Sequence, residues 1–437
     1  MTRKQNSMLR LTTCMAIVML MCLSIALPKV SAEDNEITWD FGTENAPAEA
    51  ALTKILKMGD GTTTPNATFE FKFTPTLING SDDSEDLKAM PEIGTDWIVS
   101  VDFENDEKGT TANGTKVIIK ESKSLFEGIS WPRAGVYVYT VTEESGTYET
   151  EDEFKEKMIY SEAKYDLYVY ISNGKNGTYV YAVGAIIEEA DESNEDDVGS
   201  KVDPTPQDPE ISGNYSKMVF TNTYLKRTTD GEDDPEDSAF EISKEVKGAI
   251  IEADRLFSFD ITVSNPTVLN DPDKTYRAYV VDETGAIVTH TNNYATLVPD
   301  DNGELYIAFT TDTPLTVKLK HNQKLAFTDM YVGGSFTVTE TGTEDYTPRG
   351  VLTHGAVQTE LTAIEGAPLT VPDPNGEPAY IGEDTDSVAF TNTYKLATPT
   401  GISVNDLPYI VMIAVALAAL AVFAAIKVRR NYKNDAR

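Results

Sequence analysis

The pentapeptide Phe-Thr-Asn-Thr-Tyr stands twice in this chain, at residues 220–224 and 390–394. Side chains alternate faces along a β-strand, so the Phe, Asn and Tyr of each copy share one face. An amide among aromatic rings is a polar group on an apolar face, and burial there demands a partner. More of the chain repeats with it. Leu52-Thr53-Lys54-Ile55-Leu56-Lys57 matches Ile242-Ser243-Lys244-Glu245-Val246-Lys247. Tyr139-Thr140-Val141-Thr142-Glu143 matches Phe336-Thr337-Val338-Thr339-Glu340. The order is Lys, then Glu, then Asn in both copies, so the chain holds two units built on one plan.

Both units read as β-sandwiches. Strand alternation marks Phe69, Phe71 and Phe73; Tyr137, Tyr139 and Val141; Tyr165, Leu167, Val169 and Ile171; and Tyr179, Tyr181 and Val183. It returns at Phe257, Phe259, Ile261 and Val263 in the second unit. Frequent Gly, Asp, Asn and Pro turns and little helical periodicity point to all-β sandwiches rather than a mixed fold.

The phase of the polar residues is the informative part. Lys54 points with Leu52 and Leu56, and Lys244 with Ile242 and Val246. Glu143, Glu340, Asn222 and Asn392 are likewise in phase with apolar neighbours. Lys and Glu are seldom buried unless paired. One such Lys alone reads as a buried ion pair, with Asn as a hydrogen-bond partner, or as a side chain snorkelling from a strand end. Two units with the same three residues in the same order and phase favour a third reading, an intramolecular amide. Burial lowers the Lys pKa and yields a neutral amine that attacks the Asn carboxamide carbon. Burial raises the Glu pKa, and its proton polarises the carbonyl and passes to leaving ammonia. Proximity in the folded core supplies most of the acceleration. Lys57, out of phase with Leu52 and Leu56, is the second choice for the first nucleophile.

The ends and the charge place the chain. Arg3, Lys4 and Arg10, a mostly apolar run over 11–27 and Val30-Ser31-Ala32 read as a secretory signal. Residues 409–426 are apolar and uncharged, long enough to span a membrane, and Lys427, Arg429, Arg430 and Lys433 set that end in the cytoplasm. Both cysteines, Cys14 and Cys22, lie in the signal, which removes disulfides and thiolate metal sites from the mature chain. Of 36 basic residues four lie before residue 33 and five after 400; of 71 acidic residues none and two do. The remaining 27 basic and 69 acidic residues give residues 33–400 a net charge of −42, which argues against nucleic acid and anionic lipid as partners. The acidic runs lack calcium-loop spacing and read as solvated linker. His290, His321 and His354 stand apart, and no Gly-x-Ser-x-Gly or His-Glu-x-x-His motif occurs. No enzyme activity on an external substrate, no cofactor and no metal is therefore expected.

Taken together, these residues resemble the isopeptide-bonded major pilins of Gram-positive bacteria, of the streptococcal T-antigen type. The resemblance implies two tandem immunoglobulin-like β-sandwich domains, each with a Lys–Asn bond between its first and last strands and a Glu beside it. The implied triads are Lys54, Glu143, Asn222 and Lys244, Glu340, Asn392. Ala397-Thr398-Pro399-Thr400-Gly401, the apolar helix and the basic tail have the layout of a sortase substrate. It is similar to the x-Val-Pro-Thr-Gly signal of these pilins, with Thr398 in place of Val. The implied cleavage lies between Thr400 and Gly401, and Thr400 is joined to a Lys of the next subunit. Lys217 is the first choice for that acceptor and Lys201 the second. The implied partners are a pilus-class sortase, neighbouring subunits in a covalent homopolymer, peptidoglycan directly or through a base pilin, and a host surface ligand. The implied location is an extracellular, wall-attached pilus. A wall-anchored monomeric adhesin built from the same domains is the alternative. The expected division is a signal at 1–32, an N-terminal segment at 33–50, domains at 51–224 and 239–395 with an acidic linker at 225–238 between them, and a sorting signal at 396–437.

Overall fold

The computed structural model describes residues 41–395, apart from 151, 195, 208–214, 232–233, 250, 290–295, 300–302, 304 and 377, together with residues 407–434. The expected signal and the Thr400–Gly401 junction lie outside the described residues.

The first unit packs a five-stranded sheet against a six-stranded one. Its opening strand, Thr53–Gly59, lies beside its closing strand, Val219–Lys226, and the two run parallel. Lys54 sits opposite Phe220 and Leu56 opposite Asn222. On its other side the opening strand pairs antiparallel with Thr115–Glu121. The facing sheet carries Ala67–Ile78 and Gly135–Glu143, which pair Phe71 with Glu143. Its alternate residues Phe69, Phe71 and Phe73 are fully buried, while Thr68, Lys72 and Thr74, on the opposite face, are exposed, as a sheet with one wet face requires. The Asn113-Gly114 hairpin has positive φ at both residues, 51° and 76°. That geometry matches the right-handed twist of the strands it joins.

The second unit packs an eight-stranded sheet against a four-stranded one. Its opening and closing strands, Phe240–Gly248 and Asp386–Tyr394, are again neighbours and again parallel. Lys244 faces Phe390 and Val246 faces Asn392, the register of the first unit. Across the core, Phe257–Ser264 and Ser335–Glu340 pair Phe259 with Glu340. Aromatic contacts repeat as well. Phe71 packs on Phe220 with ring centroids 4.9 Å apart, and Phe259 on Phe390 at 5.1 Å.

The junction between the units departs from the expectation of a solvated acidic linker starting at residue 225. Leu225 and Lys226 continue the closing strand, and Leu225 is buried. Arg227 then inserts its guanidinium between the rings of Phe154 and Tyr331, 4.4 and 4.2 Å from their centroids. It donates to the carbonyls of Phe154 and Asp329 and to the Tyr331 hydroxyl. Glu383 of the second unit accepts from Lys226 Nζ at 2.8 Å and from the backbone N–H and hydroxyl of Thr63. Composition hides this because the acidic residues begin only after the packed stretch, at Asp230.

The C-terminal helix spans Leu407–Asn434, of which Pro408–Arg430 is long and apolar enough to cross a membrane. It runs past the expected 409–426 because Lys and Arg are good helix formers and no breaker intervenes.

Replacing Arg227 by Ala removes the stacking and three hydrogen bonds, about 1–3 kcal/mol at a half-buried site. The expected outcome is a broadened distance distribution between spin labels on the two units, with each unit's own unfolding midpoint unchanged.

Candidate functional site

Each triad is assembled from both sheets. The parallel strand pair supplies the Lys and the Asn, two register positions apart, and the facing sheet supplies the Glu between them. In the first unit Lys54 Nζ donates to Glu143 Oε1 at 2.8 Å and Oε2 at 2.7 Å. Asn222 Nδ2 donates to the same Oε1 at 2.7 Å. Both side chains of the ion pair are fully buried. In the second unit Lys244 Nζ and Asn392 Nδ2 both donate to Glu340 Oε1, at 2.6 and 2.7 Å. One carboxylate oxygen thus bridges amine and carboxamide in each unit.

The surroundings set the protonation states. Lys54 Nζ lies 4.6 Å from the Phe69 ring and 5.8 Å from that of Phe71. Lys244 Nζ lies 4.3 Å from the Phe257 ring and 5.9 Å from that of Phe259. Removal from water pulls both amines down from 10.5 to about 8, against the opposing pull of their glutamates. Burial pushes Glu143 and Glu340 up, although the neighbouring lysines work against it. Both shifts favour the neutral amine and the neutral acid, the pair that nucleophilic attack needs.

The remaining expected residues are placed as follows. Lys57 is on the opposite face from Lys54, partly exposed and 3.5 Å from Glu192, away from Glu143 and Asn222. Lys217 is exposed beside the closing strand, with Nζ 4.2 Å from the Tyr215 ring. Lys201 is exposed on a short strand paired with Ala185 and Ile186. Neither lies in a triad. Sequence reasoning missed the aromatic cradles, although a Phe-x-Phe pair following each Lys, Phe69/Phe71 and Phe257/Phe259, was there to be read. It also missed the backbone N–H of Ser161, which donates to Asn222 Oδ1 at 2.8 Å. A loop amide leaves no signature in the side-chain pattern. Because only an oxygen accepts from that N–H, it fixes which way the Asn222 carboxamide faces.

A family model described as a Spy0128-like isopeptide containing domain matches residues 50–225. The first unit belongs to that isopeptide domain family. The resemblance to Gram-positive isopeptide-bonded pilins holds, with its all-β pilin-type fold. A domain of unknown function, DUF7601, matches residues 238–394. Among solved structures, the major pilin from Streptococcus pyogenes is 18% identical over 80% of this chain and 99% of its own, with a TM-score of 0.30. A second S. pyogenes major pilin, T3.2, is 17% identical over 80% and 99%, with a TM-score of 0.28. An adhesin from Mobiluncus mulieris with intramolecular disulfide, isopeptide and ester cross-links is 11% identical over 79% and 99%, with a TM-score of 0.20. No curated protein matches the chain.

The buried Lys–Glu pair makes the uncrosslinked fold sensitive to pH in a defined direction. A Glu raised above 4.5 holds a proton in the folded unit that the unfolded chain has lost, so stability falls as pH rises through its folded pKa. A Lys lowered to about 8 releases a proton that the unfolded chain keeps up to 10.5, so stability rises between those values. An Asn222→Ala chain, which keeps Lys54 and Glu143 but has no carboxamide to attack, is expected to show a stability minimum between the two windows. Urea unfolding of the first unit from pH 4 to pH 10 measures it. A flat profile would show the pair to be solvated.

Proposed function

We propose that this protein is a structural pilin of a Gram-positive surface pilus, crosslinked within each unit by a Lys–Asn amide. The observation that carries the reading is the repetition of one geometry in two units of different sheet make-up: a buried Lys and Asn on adjacent parallel strands, bridged by one Glu oxygen. The nucleophiles are Lys54 and Lys244, the electrophiles are the Asn222 and Asn392 side chains, and Glu143 and Glu340 carry the protons.

In each unit the Glu first takes a proton from the ammonium, giving neutral amine and neutral acid. The amine nitrogen attacks the Asn side-chain carbonyl carbon. The Glu oxygen, in contact with both nitrogens, takes the amine's surplus proton and hands its own to Nδ2. Ammonia leaves, the amide N–C bond remains, and the glutamic acid gives its last proton to the departing ammonia, which goes as ammonium and leaves the carboxylate regenerated. The reaction happens once per unit, and the protein is its own substrate. Preorganisation in the folded core supplies most of the acceleration. A bond closing so long a loop stabilises by about 5 kcal/mol on the chain-entropy account used for disulfides.

Polymerisation follows from the sorting signal. A pilus-class sortase cleaves between Thr400 and Gly401 and joins Thr400 to Lys217 of the next subunit, with Lys201 as the alternative acceptor. The C-terminal helix anchors the precursor in the membrane until then. The polymer reaches peptidoglycan directly or through a base pilin, and its exposed surface meets any host ligand. Neither cofactor nor metal takes part.

Intact mass of residues 33–400 is expected to fall short of the sequence mass by two molecules of ammonia. Asn222→Ala and Asn392→Ala should each restore one, and Glu143→Ala should block the first bond while leaving the second. Full sequence mass in the unsubstituted chain would sink the proposal and leave two buried ion pairs. In denaturing gels of cell-wall extracts, a pilin gives high-molecular-weight ladders that Lys217→Ala abolishes. A sortase-competent strain without ladders would make the protein a wall-anchored monomeric adhesin instead.

A further inference from the structure

The two triads present their carboxamide carbonyls to different surroundings. Asn222 Oδ1 accepts the Ser161 N–H at 2.8 Å. Asn392 Oδ1 is buried with no hydrogen-bond partner among the described residues, and so is Glu340 Oε2. When the lysine adds to the carbonyl carbon, negative charge gathers on that oxygen. A fixed N–H aimed at it stabilises the charge at no reorganisation cost. Among the described residues the first unit has such a donor and the second does not.

The donor is held in place by one carboxylate. Asp191 Oδ2 accepts the Ser161 hydroxyl at 2.7 Å, the Glu162 N–H at 2.7 Å and the Ala163 N–H at 3.0 Å. Its Oδ1 accepts the Ser193 N–H at 2.7 Å. Ser193 Oγ accepts the Thr221 N–H, one residue before Asn222 on the closing strand. Asp191 thus ties three consecutive residues of one loop, 161–163, to the strand that carries the electrophile. The other contacts of the Ser161 side chain are longer: its Oγ accepts the Ala163 N–H at 3.3 Å and lies 3.2 Å from Ser193 Oγ.

Resting on the crosslinking reading above, we infer that the Ser161 backbone N–H is the oxyanion donor of the first unit's amide formation and that Asp191 is its positioning residue. Among the described residues the second unit offers no such donor to Asn392 Oδ1. The chain therefore carries a built-in reference reaction, sharing the chemistry but not the carbonyl donor.

The test follows both bonds during cell-free synthesis of the full chain. Synthesis is stopped, samples are taken over time, and mass spectrometry of the peptides containing Asn222 and Asn392 reads each bond separately. Asp191→Ala is expected to slow the first bond at least tenfold and leave the second at its native rate. Asp191→Asn still offers a carbonyl oxygen to the loop N–H groups and should recover most of the loss. Ser161→Pro removes the donor itself and should slow the first bond on the order of 100-fold. Urea unfolding of the same substitutions on an Asn222→Ala background shows that the first unit is folded, because a structural role would lower that midpoint without changing the rate ratio of the two bonds. First-bond rates within twofold of native in folded Asp191→Ala and Ser161→Pro would overturn the inference. Loss of ammonia from neither unit of the native chain would instead overturn the crosslinking reading beneath it.

Discussion

A lysine ammonium held between two β-sheets is the constraint around which both units are arranged. Stripping water from a charge costs several kcal/mol, and an ion pair repays that only with good geometry and satisfied hydrogen bonds. Lys54 and Lys244 answer it with a glutamate at hydrogen-bond distance and a pair of phenylalanine faces below, although Glu340 Oε2 is left without a hydrogen-bond partner among the described residues. The same constraint fixes the topology. The glutamate must come from the facing sheet, and the asparagine from the strand next to the lysine. That brings the first and last strands of each unit together as parallel neighbours. Parallel pairs need a long crossover, and here the crossover is the rest of the unit.

Much of this is legible in the sequence. Strand phase alone placed Lys54, Glu143 and Asn222 on the buried face, because a period of two is unambiguous when large aromatic residues mark the inside. Phase also separates Lys54 from Lys57, and in the fold Lys54 Nζ reaches Glu143 while Lys57 Nζ lies 3.5 Å from Glu192. What phase does not carry is register. Nothing in the sequence says that Lys54 lies opposite Phe220 rather than Asn222, since pairing between distant strands is set by the packing of the whole sandwich. Contacts from loop backbone, such as Ser161 to Asn222, are hidden for the same reason.

The junction shows how composition misleads. Residues 225–238 are acidic as a block, but the first three, Leu225, Lys226 and Arg227, are packed. A single guanidinium stacked between Phe154 and Tyr331 outweighs the average character of its neighbours. With the Lys226–Glu383 ion pair it gives the two sandwiches a shared, hydrogen-bonded surface.

The two-position offset between lysine and asparagine has a mechanical meaning. Each strand residue advances about 3.3 Å, so the asparagine sits about 7 Å further along the common strand direction than the lysine. Under the proposed Thr400 linkage, tension on the second unit drags its opening strand backward by its start and its closing strand forward by its end. Sliding in that sense carries the asparagine further from the lysine. A link made there is a diagonal brace already inclined toward the pull. Shear tightens it from the first ångström, with no slack to take up while the ladder of hydrogen bonds beside it gives way.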